Sequence, residues 1–506
     1  MDYKINLIEL FEESYRKCPD KVAVIEGQKS ITFGDLAQKA KSFASYIVKN
    51  VSCQNRPIAV FLPKCIESVY TNLGITYSGN SYMNLDVKTP IARIKNIIDL
   101  IEPQIVVTNS KLIQGLKPVI SGNLIVINVD EIQEDTDYDY RVISNIIDTD
   151  PYCIINTSGS TGTPKGVVLN HRSFFDFIAR SLEAFDIDEN EIIGSLSPVV
   201  FDIYVLELCL LMAKTSTIVL IPDGLSAFPA SILNILKEQK TTFLFWVPTI
   251  MVNIANMNLL SKIQLDSLKT VWFAGEVFPT KQFNIWRKNL PHVTFANLYG
   301  PIEITLDCVF YIVERELKDE EPIPIGYAYR NTDILILDDE KLVTDVEVDG
   351  ELCVRGSSLA MGYYNNPEKT AAAFVQNPLN HSYPEIIYRT GDICCVNELG
   401  EIVFKGRKDS LIKHMGYRTD LGEIEHVIIN SLKLVKNGCV VYNYAAKEIT
   451  LIYEADEEMS PADFRKSIST ELPKYMVPTV FICEKELKRN TNGKIDRLYY
   501  KNKVNA

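Results

Sequence analysis

Residues 157–166 read Thr157-Ser158-Gly159-Ser160-Thr161-Gly162-Thr163-Pro164-Lys165-Gly166. Hydroxyl side chains, flexible glycines and one lysine together can wrap an oxyanion with backbone N–H groups. The run follows a β-rich stretch, Cys153–Asn156, and is predicted to lead into a helix. It is not a Walker A loop. The second glycine of that pattern falls on Pro164, and Gly166 stands where a Ser or Thr should follow the lysine.

On either side, short β-rich runs alternate with helix-like segments: Pro57–Pro63, Gln104–Thr108, Leu124–Val129, Thr217–Ile221, Thr242–Val247, Thr270–Phe273 and Val293–Ala296. Such alternation predicts an α/β fold of parallel layers, with ligands at the loops that close the strands. Past about residue 320, short strand-and-turn segments such as Thr332–Leu337 and Gly350–Val354 predict a β-rich subdomain. From Arg407 on, a helix Leu421–Ser431, strands Gly438–Tyr444 and Glu448–Tyr453, and a final helix from Pro461 predict a small α+β domain. The expected division is a large domain over 1–408 and a small, mobile one over 409–506. Neither a repeat nor a low-complexity segment is visible.

Composition narrows the function classes. With 52 basic and 65 acidic residues the net charge is −13, unsuited to a nucleic-acid surface. Eleven cysteines carry no zinc-like spacing, which suits a reduced cytoplasmic chain. No basic region followed by an apolar stretch opens the sequence, so no secretory or transit segment is expected. The apolar region Ile192–Pro222 is interrupted by Asp202, Glu207 and Lys214, so it reads as a buried helix and strand, without membrane insertion.

The 157–166 run resembles the signature of the adenylate-forming superfamily, which includes peptide-synthetase adenylation domains, acyl-CoA synthetases and luciferases. Further motifs match in family order: Tyr299-Gly300-Pro301-Ile302-Glu303, Gly350–Gly356 with Gly362-Tyr363, Tyr388-Arg389-Thr390-Gly391-Asp392, Gly406-Arg407-Lys408-Asp409, Gly422-Glu423-Ile424-Glu425 and Asn492-Gly493-Lys494. The resemblance implies an enzyme that joins a carboxylate to the α-phosphate of ATP. It implies that Thr157–Lys165 grips the β- and γ-phosphates, with Tyr299 and Gly300 close by. Glu303 would ligate Mg²⁺, and Asp392 and Arg407 would hold the ribose. Lys494 would contact both reacting anions, since a mobile point charge can follow charge developing at phosphorus. Asp409 resembles the hinge about which the small domain turns, withdrawing Lys494 and bringing Lys413–Arg418 to the site. Ile302 replaces the family's usual threonine, and His414–Asp420 follows the small-domain pattern only loosely.

Phe201-Asp202 resembles the position whose aspartate pairs with a substrate α-ammonium, which favours an α-amino acid over a fatty or aryl acid. The same aspartate also reads as a helix N-cap. By resemblance the side-chain pocket comprises Asp202, Ile203, Leu206, Phe245, Trp272, Ala274, Leu298, Leu306 and Asp307. Two large aromatics should leave little room. Buried, Asp307 would need a polar or cationic partner, which favours a small polar or basic substrate; turned to solvent, it would leave a small apolar pocket.

With no carrier motif bearing an attachment serine and no Gly-x-Ser-x-Gly elbow, the implied second step is transfer to the phosphopantetheine thiol of a separate carrier protein. Gly275–Pro279 is similar to a segment of the ligases that charge carriers with D-alanine, although Ala274 stands where those have a cysteine. A D-alanine ligase, an acyl-CoA synthetase and a binding-only regulator are the alternatives. Retention of Lys165, Glu303, Asp392 and Lys494 speaks against the last.

Overall fold

The computed structural model describes residues 4–51, 53–120, 122, 124–135, 137–157, 164–408, 411–455, 457–489 and 495–505. Ser158, Gly159, Ser160, Thr161, Gly162, Thr163, Asp409 and Lys494, all expected site residues, lie outside the described residues.

Among the described residues, a nine-stranded and a seven-stranded sheet carry the large unit. In the first, Thr294–Tyr299, Thr270–Ala274, Phe243–Trp246, Ile192–Ser195, Thr217–Leu220 and Val22–Glu26 run parallel. Strands such as Phe243–Trp246 and Thr217–Leu220 are buried along their whole length. Both faces of the sheet are therefore covered, as the near-continuous apolar runs require. The seven-stranded sheet pairs Pro57–Val60 in parallel with Ser81–Asn84 and Ile105–Thr108. The apolar helix Asp202–Lys214 belongs to the core shared with the helix Phe33–Asn50 and strands of both sheets. No helix among the described residues is long and apolar enough to cross a membrane. The eleven cysteines are all free.

A six-stranded antiparallel sheet including Thr332–Asp338, Gly350–Gly356, Ile386–Val396 and Ile402–Arg407 forms the β-rich part. Beyond it, the hairpin Leu411–His414/Tyr417–Asp420 and the three strands Gly438–Asn443, Glu448–Glu454 and Val480–Glu484 surround a hydrophobic cluster of their own.

Two expectations need correction, and a third needs only refinement. Lys165–Asn170 is a strand antiparallel to Pro151–Thr157, so the expected phosphate loop bridges a β-hairpin, and the helix His171–Ala184 starts only after it. Two β-branched residues at Val167 and Val168, both buried between neighbouring strands, favour the extended form. The helix expected over Leu421–Ser431 is present, α-helical to His426 and of wider π type from there to Ser431. The helix from Pro461 ends at Ile468 and is not the last, because Arg497–Asn505 follows and buries Tyr500.

Candidate active site

A cavity of about 850 Å³ lies where the parallel strands end. Phe245, Ala274, Leu298 and Tyr299, at or next to the C-terminal ends of three neighbouring strands, line it. The small unit supplies Lys413, Gly416, Tyr417 and Arg418 to the same wall.

Asp202 is the first residue of the helix Asp202–Lys214, and Phe201 is the N-cap. Its Oδ1 accepts the Ile203 amide at 2.9 Å, and the residue lines the cavity. The expected N-cap role therefore falls to Phe201, which offers no side-chain cap, while Asp202 opens the first turn and lines the cavity. Burial raises its pKa to about 6, partly offset by the positive charge of Lys413. The loop before it is pinned from below. Lys64 Nζ donates to the carbonyls of Ser195, Leu196 and Ser197 at 3.1, 2.8 and 3.2 Å and pairs with Asp223 at 3.3 Å. One turn into the helix, buried Glu207 accepts the Ser195 hydroxyl, and burial raises its pKa to about 7.

Asp392 and Arg407 face each other on adjacent strands. Asp392 accepts from Arg407 on one oxygen and from the Tyr299 hydroxyl on the other. Arg407 also donates to the Thr390 carbonyl at 2.9 Å. The expected ribose-binding pair is thus assembled around Tyr299, with both carboxylate oxygens already oriented.

Glu303 is fully buried. It accepts the Tyr363 hydroxyl at 2.8 Å and Arg418 at 2.6 Å. Burial pushes its carboxyl up, but Arg418 and Tyr363 outweigh that and hold it below the usual carboxylate range. Lys165 Nζ sits 4.8 Å above the Tyr363 ring, so Lys165 and Glu303 are brought together through Tyr363. Burial, then the nearby Arg418 charge, lowers the Lys165 pKa. Among the described residues no cluster of three or more His, Cys, Asp or Glu could hold a metal. A lone buried carboxylate still suits Mg²⁺, which takes one or two carboxylates and fills its remaining positions with phosphate oxygens and water. At the foot of the expected phosphate loop, Asn156 Nδ2 and Oδ1 and Thr157 Oγ1 are buried without a hydrogen-bond partner. Orphaned donors and acceptors beside a cavity fit a polar ligand.

Seven of the nine expected pocket residues line the cavity: Asp202, Ile203, Phe245, Ala274, Leu298, Leu306 and Asp307. Leu206 and Trp272 do not. Trp272 is fully buried, edge-on to Phe243 and Phe245 and tilted against Phe185. It lies two residues before Ala274 on its strand, about 6.6 Å from that cavity-lining residue. Only Phe245 of the two aromatics narrows the pocket. Asp307 is buried at 3% exposure and does not face bulk solvent.

Sequence reasoning missed Lys64 and Asn156. Lys64 carries no local motif. Asn156 stands next to the glycine-rich run, and a polar residue ending an apolar strand was the available signal.

The AMP-binding enzyme family model matches residues 11–364. The chain belongs to the AMP-binding enzyme family. This AMP-binding chain is 31% identical over 97% of its length to a subunit of mycosubtilin synthase from Bacillus subtilis, of which it spans 19%. It is 29% identical, again over 97%, to delta-poly-L-ornithine synthetase of Acinetobacter baumannii, of which it spans 36%. It therefore covers about a fifth to a third of these curated relatives. In fold it is similar to the Vibrio cholerae adenylation domain AlmE, solved with glycyl-adenosine-5'-phosphate, with a TM-score of 0.85, 19% identity and coverage of 100% and 98% of the two chains.

Proposed function

We propose that this chain uses ATP and Mg²⁺ to activate an α-amino acid as its aminoacyl-AMP and passes the acyl group to the phosphopantetheine thiol of a carrier protein in trans. The observation that carries the reading is that one cavity is lined by Asp202, an acid at a helix start, and by the Asp392–Arg407 pair. Such a site can hold an amino acid and a ribose side by side.

In this reading Asp202 receives the α-ammonium, Asp392 and Arg407 receive the ribose, and the 157–165 loop with Lys165 receives the terminal phosphates. When bound at Glu303, the divalent ion supplies charge neutralisation of phosphate oxygens. A carboxylate oxygen of the amino acid forms a bond to the α-phosphorus while the bond to pyrophosphate breaks, and Lys494 steadies the charge in transit. In the second step the thiol sulfur attacks the acyl carbon and AMP leaves, so no nucleophile from the chain is needed. The chain divides near Asp409 into 1–408 and 409–506, and the arrangement with Arg418 on Glu303 belongs to the second step. A guanidinium on the metal-binding carboxylate suits a site from which metal and pyrophosphate have gone. The similarity to delta-poly-L-ornithine synthetase, a protein named for an amino acid, supports the choice of an amino acid as substrate.

ATP–pyrophosphate exchange across the proteinogenic amino acids, D-alanine, ornithine and several aryl and fatty acids tests this, with Lys494→Ala as control. Exchange with one α-amino acid, abolished in the control, is the expected outcome. Exchange confined to acids that lack an α-ammonium would sink the reading.

A further inference from the structure

Asp307 is a pocket acid that the proposed reaction leaves without a task. It is 3% exposed and lines the cavity, and its Oδ2 is buried with no hydrogen-bond partner. Phe245, Leu298 and Leu306, which line the same cavity, offer it no side-chain donor. A carboxylate in such a wall is costly unless a cation reaches it.

Its position is enforced by the backbone. Thr305 and Leu306 both have positive φ, 55° and 70°, rare for a β-branched and for a bulky side chain. The Thr305 hydroxyl is tied to the Ser358 carbonyl at 2.8 Å, and the Cys308 amide returns to the Tyr299 carbonyl at 2.8 Å. Gly300 permits this fold-back, since a Cβ there would lie 2.2 Å from the Leu306 carbonyl oxygen and 2.5 Å from the Asp307 Cα. Strain of this kind persists where the surrounding structure over-determines it, typically at ligand sites.

Two other charged groups bear on Asp307. Asp202 repels it, and Lys413 attracts it. Lys413 also answers Asp392 and Asp202, and it arrives on the hairpin Leu411–Asp420 of the small unit. It is no dedicated partner.

The geometry points to an α-amino acid whose side chain ends in an ammonium group, held by Asp307 while Asp202 holds the α-ammonium. This rests on the proposed aminoacyl adenylation and names its substrate class. An aliphatic stem suits the apolar walls of Phe245, Leu298 and Leu306, and a compact ammonium can reach the Asp307 carboxylate with a single hydrogen bond.

The test is amino-acid-dependent ATP–pyrophosphate exchange by the full chain with 2,4-diaminobutyrate, ornithine and lysine. Each is set against neutral partners of similar length: norvaline, norleucine, glutamine and citrulline. The expected kcat/KM for the preferred diamino acid is on the order of 10²-fold above its neutral partner, because a neutral chain leaves the buried acid unpaired. Asp307→Asn narrows that ratio to less than about tenfold, whereas Asp307→Glu keeps the cation preference. If the variants fail to fold, the wild-type ratio decides alone. A neutral or acidic amino acid as the best substrate overturns the inference and leaves aminoacyl adenylation standing. Exchange only with acids lacking an α-ammonium overturns both.

Discussion

The two walls of the cavity carry opposite net charge. The large unit brings six acids, Asp202, Asp307 and Asp392 among them, against Arg93, Lys405 and Arg407, and the small unit brings cations only, Lys413 and Arg418 among them, the latter onto buried Glu303. The acids sit on strand ends, tight loops and a helix start, all packed against the core. Lys413 and Arg418 sit on a two-stranded hairpin that meets the large unit through polar and aromatic contacts, among them the Gly416 amide to Glu276 at 2.7 Å, Arg418 to Glu303, and Tyr417 edge-on to Phe201. A second pair, Arg93 of the large unit with Glu423 of the small, runs with reversed polarity and so sets the register of docking. Polar contacts between units favour relative motion. The difference teaches that the acidic wall is permanent and its neutralisation is borrowed, either from the small unit or from bound ligands.

The most severe way to break this complementarity is Arg418→Ala. It leaves Glu303 buried beside only the Tyr363 hydroxyl, and losing one member of a buried pair costs roughly 3–5 kcal/mol. The docked arrangement is then disfavoured. The expected outcome is a fall in carrier loading on the order of 10²-fold or more, with ATP–pyrophosphate exchange reduced by less than about tenfold. Equal losses in both assays would show that the hairpin serves both steps alike.

A milder perturbation is pH. Asp202 must be ionised to hold an ammonium, and its pKa is raised to about 6. kcat/KM for the amino acid should therefore level off above about pH 6 and drop towards tenfold per unit below it. Stability runs the other way. A carboxyl raised above its unfolded value of 3.8 binds more protons in the folded state, so its contribution to stability falls as pH rises from 3.8 through about 6. A kcat/KM profile that stays flat to pH 5 would remove Asp202 as the ammonium partner.

The smallest expected effect sharpens how the acidic wall is held. Lys64→Met removes the donor to three consecutive carbonyls below Asp202. We expect the KM for the amino acid to rise by about tenfold with kcat little changed, together with a melting temperature lower by a few degrees. An unchanged KM would mean that Glu207 and the packing of the helix hold the loop unaided.

Much of this molecule was legible in advance. The runs at Thr217–Ile221, Thr242–Val247 and Thr270–Phe273 became neighbouring or near-neighbouring strands, because a parallel strand covered on both faces must be apolar almost throughout. Asp202 was legible as a cavity acid at a helix start, although the cap position itself is Phe201. The stretch Lys165–Asn170 was not, since a short run of mixed small and β-branched residues carries no period that separates helix from strand. Trp272 was misplaced in depth for a similar reason. Strand alternation tells which face a residue takes, and only packing against Phe185, Phe243 and Phe245 tells how far along that face the cavity reaches.

The sequence by itself determined the family, the order of the parts and several of the residues that line the cavity, because glycine-rich turns and motif acids are short-range patterns that spacing alone preserves. Tertiary structure decided the charge balance. That Asp307 is buried without a partner, that Lys64 holds three carbonyls over 130 positions away, and that Arg418 lies on Glu303 across 115 residues are facts of burial and long-range contact. Desolvation and pairing depend on which distant groups meet, and no local pattern encodes that.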